Sequence, residues 1–238
     1  MSKALRNFII GDLHGCLVEF KELLDKINYN PLNDRVILCG DLIDRGEDSV
    51  GCVKLARELD LECVLGNHEQ RFLKWFKGNK YLDPYPHYTQ FSDDDVDFIN
   101  RMPLYLKLDD NSYVVHAGVK NYLPIDKQKK DDLLYLRYTD ENRKFISIKK
   151  IVKEGAEELG AKFWTEFGPF GYNVVYGHQV HSEEEARVDS FSDGTSCYGI
   201  DLGCCFGGNL AALHWESKEI IKVKAKKTYY KSYKDTDE

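Results

Sequence analysis

Apolar residues along the 238-residue chain follow two different periods. Phe8-Ile9-Ile10 is a short continuous apolar run, and behind it Leu17, Phe20, Leu24 and Ile27 recur at helical spacing. The first pattern predicts a buried strand and the second a helix. The pair then repeats, with residues 35–39 reading as a strand and Val50, Val53, Leu55 and Leu59 as one face of a helix. Residues 62–65 predict a third strand, with a helix beginning near Glu69. Such a β-α-β-α-β start implies a partly parallel sheet with helices on its faces.

The middle is less regular. Residues 83–88 contain two prolines and read as loop, whereas Ser92-Asp93-Asp94-Asp95 reads as a helix start ahead of Val96, Phe98, Ile99 and Met102. Residues 104–108 and 113–115 predict strands across a turn at Asp109-Asp110-Asn111. A further helix is expected over residues 146–159. Strands are expected at 173–176, 197–201, 210–215 and 219–223. With no repeat and no linker, residues 1–223 form one expected domain, followed by a charged, frayed tail at 224–238.

Composition narrows the classes. An apolar fraction of 42% supports a real core, yet no apolar run approaches the ~18 residues of a membrane span. The first six residues lack a signal-peptide stretch, so the expected compartment is the cytoplasm and no membrane partner is expected. The net charge of −7 argues against a stable nucleic-acid partner. It does not exclude a phosphorylated substrate, because bound divalent cations make a site locally positive. Seven cysteines without Cys-x-x-Cys spacing read as reduced, packed thiols, with Cys204-Cys205 the pair most open to oxidation.

The chemistry lies at the ends of the predicted strands. Asp12-Leu13-His14 puts a carboxylate and an imidazole on one side of an extended segment. Gly40-Asp41-Leu42-Ile43-Asp44-Arg45-Gly46 packs two carboxylates and a guanidinium into one turn, and a structural Asp44–Arg45 pair would leave Asp41 unexplained. Gly66-Asn67-His68-Glu69 adds a neutral oxygen and a second imidazole, and His116 and His178 end two later strands. Ligands bind outside the carboxyl ends of strands in open α/β sheets, so these motifs are expected to meet at one edge of one sheet. His87, His181 and His214 lack this placement and read as structural or surface histidines.

Taken in order, these motifs resemble the calcineurin-like metallophosphoesterases, and within them the phosphoprotein phosphatase branch, from Phe8 to about Val223. The resemblance implies an α/β fold: a metallophosphoesterase β-sandwich of mixed sheets flanked by helices in α/β/β/α layers. It also implies two divalent metal ions, with manganese, iron or zinc suited to an oxygen and nitrogen donor set. Asp12 and His14 would bind the first, Asp41 would bridge, and Asn67, His116 and His178 would hold the second. His68 matches the general acid, Asp44 the carboxylate that orients it, and Arg45 a phosphate-binding arginine. The Asp132-Leu133-Leu134-Tyr135-Leu136-Arg137 segment supplies a second such arginine, Arg137. A metal-activated hydroxide would then attack the phosphoester in line.

Two stretches depart from the family pattern beside this site. Leu202 in Ile200-Asp201-Leu202-Gly203 stands where threonine is usual, and Gly177-His178-Gln179-Val180 replaces Gly-His-Thr-Pro. The first functional reading is a Ser/Thr-type phosphoprotein phosphatase, expected to be a monomer. The alternatives are a symmetrical dinucleoside tetraphosphate hydrolase or another nucleotide or RNA phosphatase, and a non-catalytic phosphoryl-binding module. Tyr81, Tyr85, Tyr88 and Phe91 read either as a substrate-side lid or as a satellite core.

Overall fold

Phe8, Ile9 and Ile10 are all buried, but Ile9 faces a different core from its two neighbours. The reason is visible in the computed structural model, which describes residues 5–79, 81–121 and 123–231. Its first half contains β1 (Arg6–Ile10), α1 (Leu17–Lys26), β2 (Asp34–Leu38), α2 (Ser49–Glu58), β3 (Glu62–Cys63), α3 (Asn67–Phe76), α4 (Asp93–Asn100), β4 (Tyr105–Asp109) and β5 (Ser112–Val115). The second contains α5 (Lys130–Tyr135), β6 (Tyr138–Thr139), β7 (Phe145–Ile146), α6 (Ile148–Glu154), β8 (Lys162–Phe163), β9 (Asn173–Tyr176), β10 (Arg187–Ser190), β11 (Ser196–Gly199), β12 (Asn209–His214) and β13 (Glu219–Lys224).

Two five-stranded mixed sheets stack, ordered β13-β12-β1-β2-β3 and β10-β11-β9-β5-β4. Strand side chains alternate between faces, so Ile9, Ile37 and Leu213 of the first sheet meet Val114 and Val175 of the second. Phe8, Ile10, Val36 and Leu38 point the other way, onto Phe20 and Leu23 of α1 and Val53 of α2. Val115, Val174 and Tyr176 cover the far side with Leu133, Leu136, Phe163 and Trp164. Burial on both faces is why β1 and β2 are continuous apolar runs rather than alternating ones.

The strand-end motifs therefore do not share one sheet. Those after β1, β2 and β3 belong to the first sheet, and His116 and His178 follow β5 and β9 of the second. The expected helix at 146–159 is also shorter. Ile146 belongs to β7, the Ser147 hydroxyl caps the Lys150 amide at 3.3 Å, and Gly155, with φ of 87°, ends α6 after Glu154. A third sheet, β7-β6-β8, has strands of two residues, too short for any period to register.

Residues 225–231 fold back onto α1. The Lys226 amide and the Tyr229 hydroxyl donate to Glu19 Oε1 at 2.7 and 2.8 Å. The rest of the expected tail, 232–238, lies outside the described residues. In the aromatic loop, Tyr88 is buried, its ring 5.0 Å from Phe72 and 5.3 Å from Trp75, so the loop packs on α3. All seven cysteines are buried free thiols, and Cys204 faces Cys16 and Glu19. Among the described residues no helix is long and apolar enough to cross a membrane.

Candidate active site

The seam between the two sheets gathers the strand-end residues around one carboxylate oxygen. Asp41 Oδ2 lies 3.6 Å from His14 Nε2, 3.4 Å from His116 Nε2 and 3.9 Å from His68 Nε2. Asp12 Oδ2 is 3.9 Å from His14 Nε2 on the far side. Asp41 is shared by two buried donor groups, one with His14 and His68 and one with His116 and His178, each with its ligand atoms within 4.8 Å of one another.

The donors suit divalent cations. His14 Nδ1 is 2.9 Å from the Ile43 carbonyl and His116 Nδ1 is 2.8 Å from the Cys39 carbonyl. A ring N–H donated to each carbonyl leaves the Nε2 lone pairs aimed inward, the usual arrangement of ligating histidines. His116 Nε2 then faces Asn67 Oδ1 at 2.9 Å, two acceptors that a cation between them relieves. His178 Nε2 is buried without a hydrogen-bond partner, which is costly unless a ligand uses it. Burial and the Arg45 charge push the His14 imidazole down to about 3, so it stays a neutral donor. Burial would raise Asp41, yet the imidazoles of His116, His68 and His14 hold it well below the usual carboxylate range. Burial beside Asp201 and Asp41 instead pushes Asp12 well up, as expected of crowded carboxylates that a cation would neutralise.

The backbone is bent to achieve this. His14, Asp41, Asp44, Arg45 and His178 all have positive φ, between 43° and 72°, a region non-glycine residues rarely enter. The glycines beside them make room: a Cβ on Gly66 would lie 2.2 Å from Asp41 Oδ1, and one on Gly177 would lie 2.0 Å from Asp12 Oδ1. Hydrogen bonds fix the loops in turn. Asp41 Oδ1 accepts the His68 amide at 3.0 Å, and Asp12 accepts the His178 amide at 3.0 and 3.1 Å, tying the sheets together. Glu69, fully buried, accepts the amides of Leu42 at 2.8 Å, Asp41 at 2.9 Å and Gly66 at 3.1 Å.

Next to the donor cluster is a hydrogen-bonded network centred on Asp44. His68 Nδ1 lies 2.5 Å from Asp44 Oδ2. The other oxygen of Asp44 is 2.8 Å from His87 Nε2, and the Tyr88 hydroxyl donates to Asp44 Oδ2 at 3.2 Å. His87 thus reaches the site from the aromatic loop, where a strand-end criterion could not find it. Glu69 was visible only as the last letter of its motif. Of the remaining histidines, His181 packs edge-on against Phe163, and His214 pairs with Glu216 at 3.1 Å at the surface. Arg45 Nη1 lies 2.7 Å from His14 Nε2, its guanidinium 5.3 Å over the Phe206 ring. Arg137 Nη2 donates to the His178 carbonyl at 3.2 Å. Both guanidinium groups therefore border the ligand cluster.

Buried carboxylates and imidazoles at strand ends, with arginines beside them, define a metal-dependent phosphoester hydrolase. The pattern of the calcineurin-like phosphoesterases matches residues 5–213, and the chain belongs to that family. It is 30% identical to an asymmetrical bis(5'-nucleosyl)-tetraphosphatase of Oceanobacillus iheyensis, over 93% of each chain. It is 28% identical to a symmetrical bis(5'-nucleosyl)-tetraphosphatase of Wigglesworthia glossinidia brevipalpis, over 93% of this chain and all of that one. A solved structure described as a candidate diadenosine tetraphosphatase superposes with a TM-score of 0.78 at 25% identity, over 94% of this chain and 95% of that one. A protein serine/threonine phosphatase of Saccharomyces cerevisiae shares the fold, with a TM-score of 0.58 at 13% identity over 95% of this chain and 81% of that one. The family implies a dinuclear metal site.

Proposed function

We propose that the protein hydrolyses dinucleoside tetraphosphates. The observation that carries this is the run of bis(5'-nucleosyl)-tetraphosphatases among its relatives, matched over nine-tenths or more of both chains. The phosphoprotein reading that the motifs first suggested has weaker support, since the protein phosphatase neighbour shares only the fold.

In this reading Asp12 and His14 would hold one metal, Asn67, His116 and His178 would hold the other, and Asp41 would serve both. The donor set is carboxylate, imidazole and amide without thiolate, which suits manganese, with iron or zinc as alternatives. When bound, the two ions supply an activated water and neutralise charge on the phosphoryl oxygens. Arg45 and Arg137 grip the phosphoryl group, since a guanidinium fork matches two oxygens at once. Asp44 holds the His68 ring so that its other nitrogen can give a proton to the leaving oxygen. Leu13, Leu42 and Ile43, all buried, keep bulk water from beneath the ligand loops.

The deciding experiment is side-by-side turnover of diadenosine tetraphosphate and a phosphoserine peptide by the manganese-loaded protein. A preference for the dinucleotide is expected, and a preference for the peptide sinks the proposal. Chromatography of the products reads the cleavage position, two ADP for symmetrical attack or ATP plus AMP for asymmetrical attack.

A further inference from the structure

A cavity of about 540 Å³ opens off the ligand cluster at Asn67, His178 and Arg137. That volume lies within the range of pockets that hold small organic ligands. One wall is α3; the other is Tyr135 of α5 together with Phe145, Ile146 and Ile148. Phe145 is a large apolar side chain left 46% exposed at this wall. The three-stranded sheet holds it there, since Phe145 pairs with Thr139 of β6.

Charge of both signs lines the pocket: Lys74 and Arg137 stand with Asp131 and Asp132, and Asp132 is paired with Lys120 at 3.1 Å. Lys74 lines it from α3, seven residues after Asn67 and so on the same helix face. Seven residues of helix rise roughly 10 Å, which sets Lys74 well beyond the ligand cluster along the cavity. Neither Lys74 nor Lys130 forms an ion pair among the described residues, and both are exposed. Burial and the charges of Lys74 and Lys77 lower the Lys130 ammonium, while Asp131 opposes the shift. Lys74 is thus a lining cation with no ion pair among the described residues, set beyond the donor cluster where an anion longer than one phosphate would reach it.

We propose that this cavity takes the part of the substrate beyond the cleaved bond: the phosphate chain runs past Lys74, and the nucleobase lies against Phe145 and Ile148. The inference rests on the nucleotide reading above and names where selection for a nucleoside polyphosphate is made. Lys74 and Phe145 are then specificity residues that read the length of the phosphate chain and the base.

Lys74→Ala and Phe145→Ala test it, with Lys54→Ala, an exposed lysine on α2, as the control for loss of one charge. Turnover is measured on diadenosine tetraphosphate, inorganic tripolyphosphate and p-nitrophenyl phosphate. Lys74→Ala is expected to lower kcat/KM for the dinucleotide and tripolyphosphate about 10-fold relative to the aryl phosphate. Phe145→Ala is expected to lower it for the dinucleotide alone, by about 5–10-fold, the scale of one lost base–aromatic stack. Calorimetric titration with a methylene-bridged dinucleoside tetraphosphate, which is not cleaved, reads the same pocket without turnover. Weaker binding is expected in both variants and unchanged binding in Lys54→Ala. Ratios and affinities within about twofold of wild type in both variants overturn the proposal, as does failure of the analogue to bind the wild-type protein. A wild-type preference for phosphopeptide would instead overturn the substrate assignment, while the titration still judges the pocket.

Discussion

Asp44→Asn isolates the proton-handling network from the metals. Asp44 is fully buried and takes three donors, His68 at 2.5 Å, His87 at 2.8 Å and the Tyr88 hydroxyl at 3.2 Å. An asparagine offers one acceptor oxygen and no charge. If that oxygen faces His68 and Tyr88, the amide NH2 faces His87, which must then change tautomer to accept it. One buried polar group left poorly paired costs about 1–3 kcal/mol. For a chain of this length that is a Tm loss of roughly 2–12 °C. The rate effect is larger and depends on the leaving group. A proton donor whose partner no longer fixes its ring loses about 10²–10⁴-fold on an alkyl phosphate. The loss should shrink for p-nitrophenyl phosphate, whose leaving group departs without a proton. Steady-state kcat on a series of alkyl and aryl phosphates, with metal content by plasma mass spectrometry, checks this. A loss equal across the series, or one that tracks metal content, refutes the assignment. There is also a pH signature. Burial alone would raise Asp44, but its bonds to His68 and His87 depress it below 3.8. Its folded pKa is below its unfolded one, so its contribution to stability is complete above the unfolded value and lost as pH falls through the folded one. The stability gap between wild type and Asp44→Asn should therefore close in that acid range.

Four further substitutions probe other parts of the same design. Asp41→Asn removes the charge shared by both donor groups, so metal content and turnover should both collapse; full metal content with normal turnover would refute the bridge. His87→Phe removes one of the three donors to Asp44 and should cost about 3–10-fold in kcat, the scale of a partly exposed hydrogen bond to a charge, with metal content unchanged by the same mass spectrometry. Gly66→Ala places a methyl 2.2 Å from Asp41 Oδ1, and the protein should fold with reduced metal content or lose more than about 3 kcal/mol of stability in urea denaturation. Asp95→Asn loses the bonds to Ser92 and Arg57 that depress this carboxylate against its burial. The variant should be less stable at neutral pH and match wild type once pH falls below the depressed value, as thermal melts from pH 7 to 2 would show.

The candidate ligand positions could be named because each sits where a strand ends, a place that an apolar run marks plainly. The two-sheet seam was not legible from the same signal. β1, β2, β5 and β9 are apolar on both faces, and a run such as Phe8-Ile9-Ile10 does not say which neighbour packs on which side. Contacts such as that of Ile9 with Val114 and Val175 separate a sandwich from a single sheet, and that one crosses more than a hundred residues of sequence. The 146–159 helix failed for a local reason, since Ser147 reads equally well as a surface residue and as a cap. β10 escaped because Arg187-Val188-Asp189-Ser190 carries one apolar residue and so no pattern. His87 escaped because it lies in a loop with prolines at 84 and 86, where neither helical nor strand spacing applies. Its role depends on Tyr88 anchoring that loop on Phe72, an aromatic packing that turns an irregular segment into a fixed arm.

The same geometry explains why the motifs pointed first to phosphoproteins. In the proposed roles, everything they encode serves the phosphoryl group: ligands for cations, guanidinium groups for its oxygens, a proton for what departs. A phosphoserine leaves as an alkoxide and needs that proton. A dinucleoside tetraphosphate leaves as a nucleotide whose terminal phosphate is a stable anion and needs it far less. Asp44→Asn should therefore harm ester cleavage more than anhydride cleavage in one and the same protein, and the ratio of the two losses measures how much proton donation each substrate requires. If dinucleotide cleavage falls as steeply as alkyl ester cleavage, His68 is positioning the phosphoryl group or a metal rather than donating a proton. If it falls by less than about tenfold while the ester falls by 10² or more, the donor role stands. Substrate choice is then left to side chains outside the motifs, such as Lys74 and Phe145.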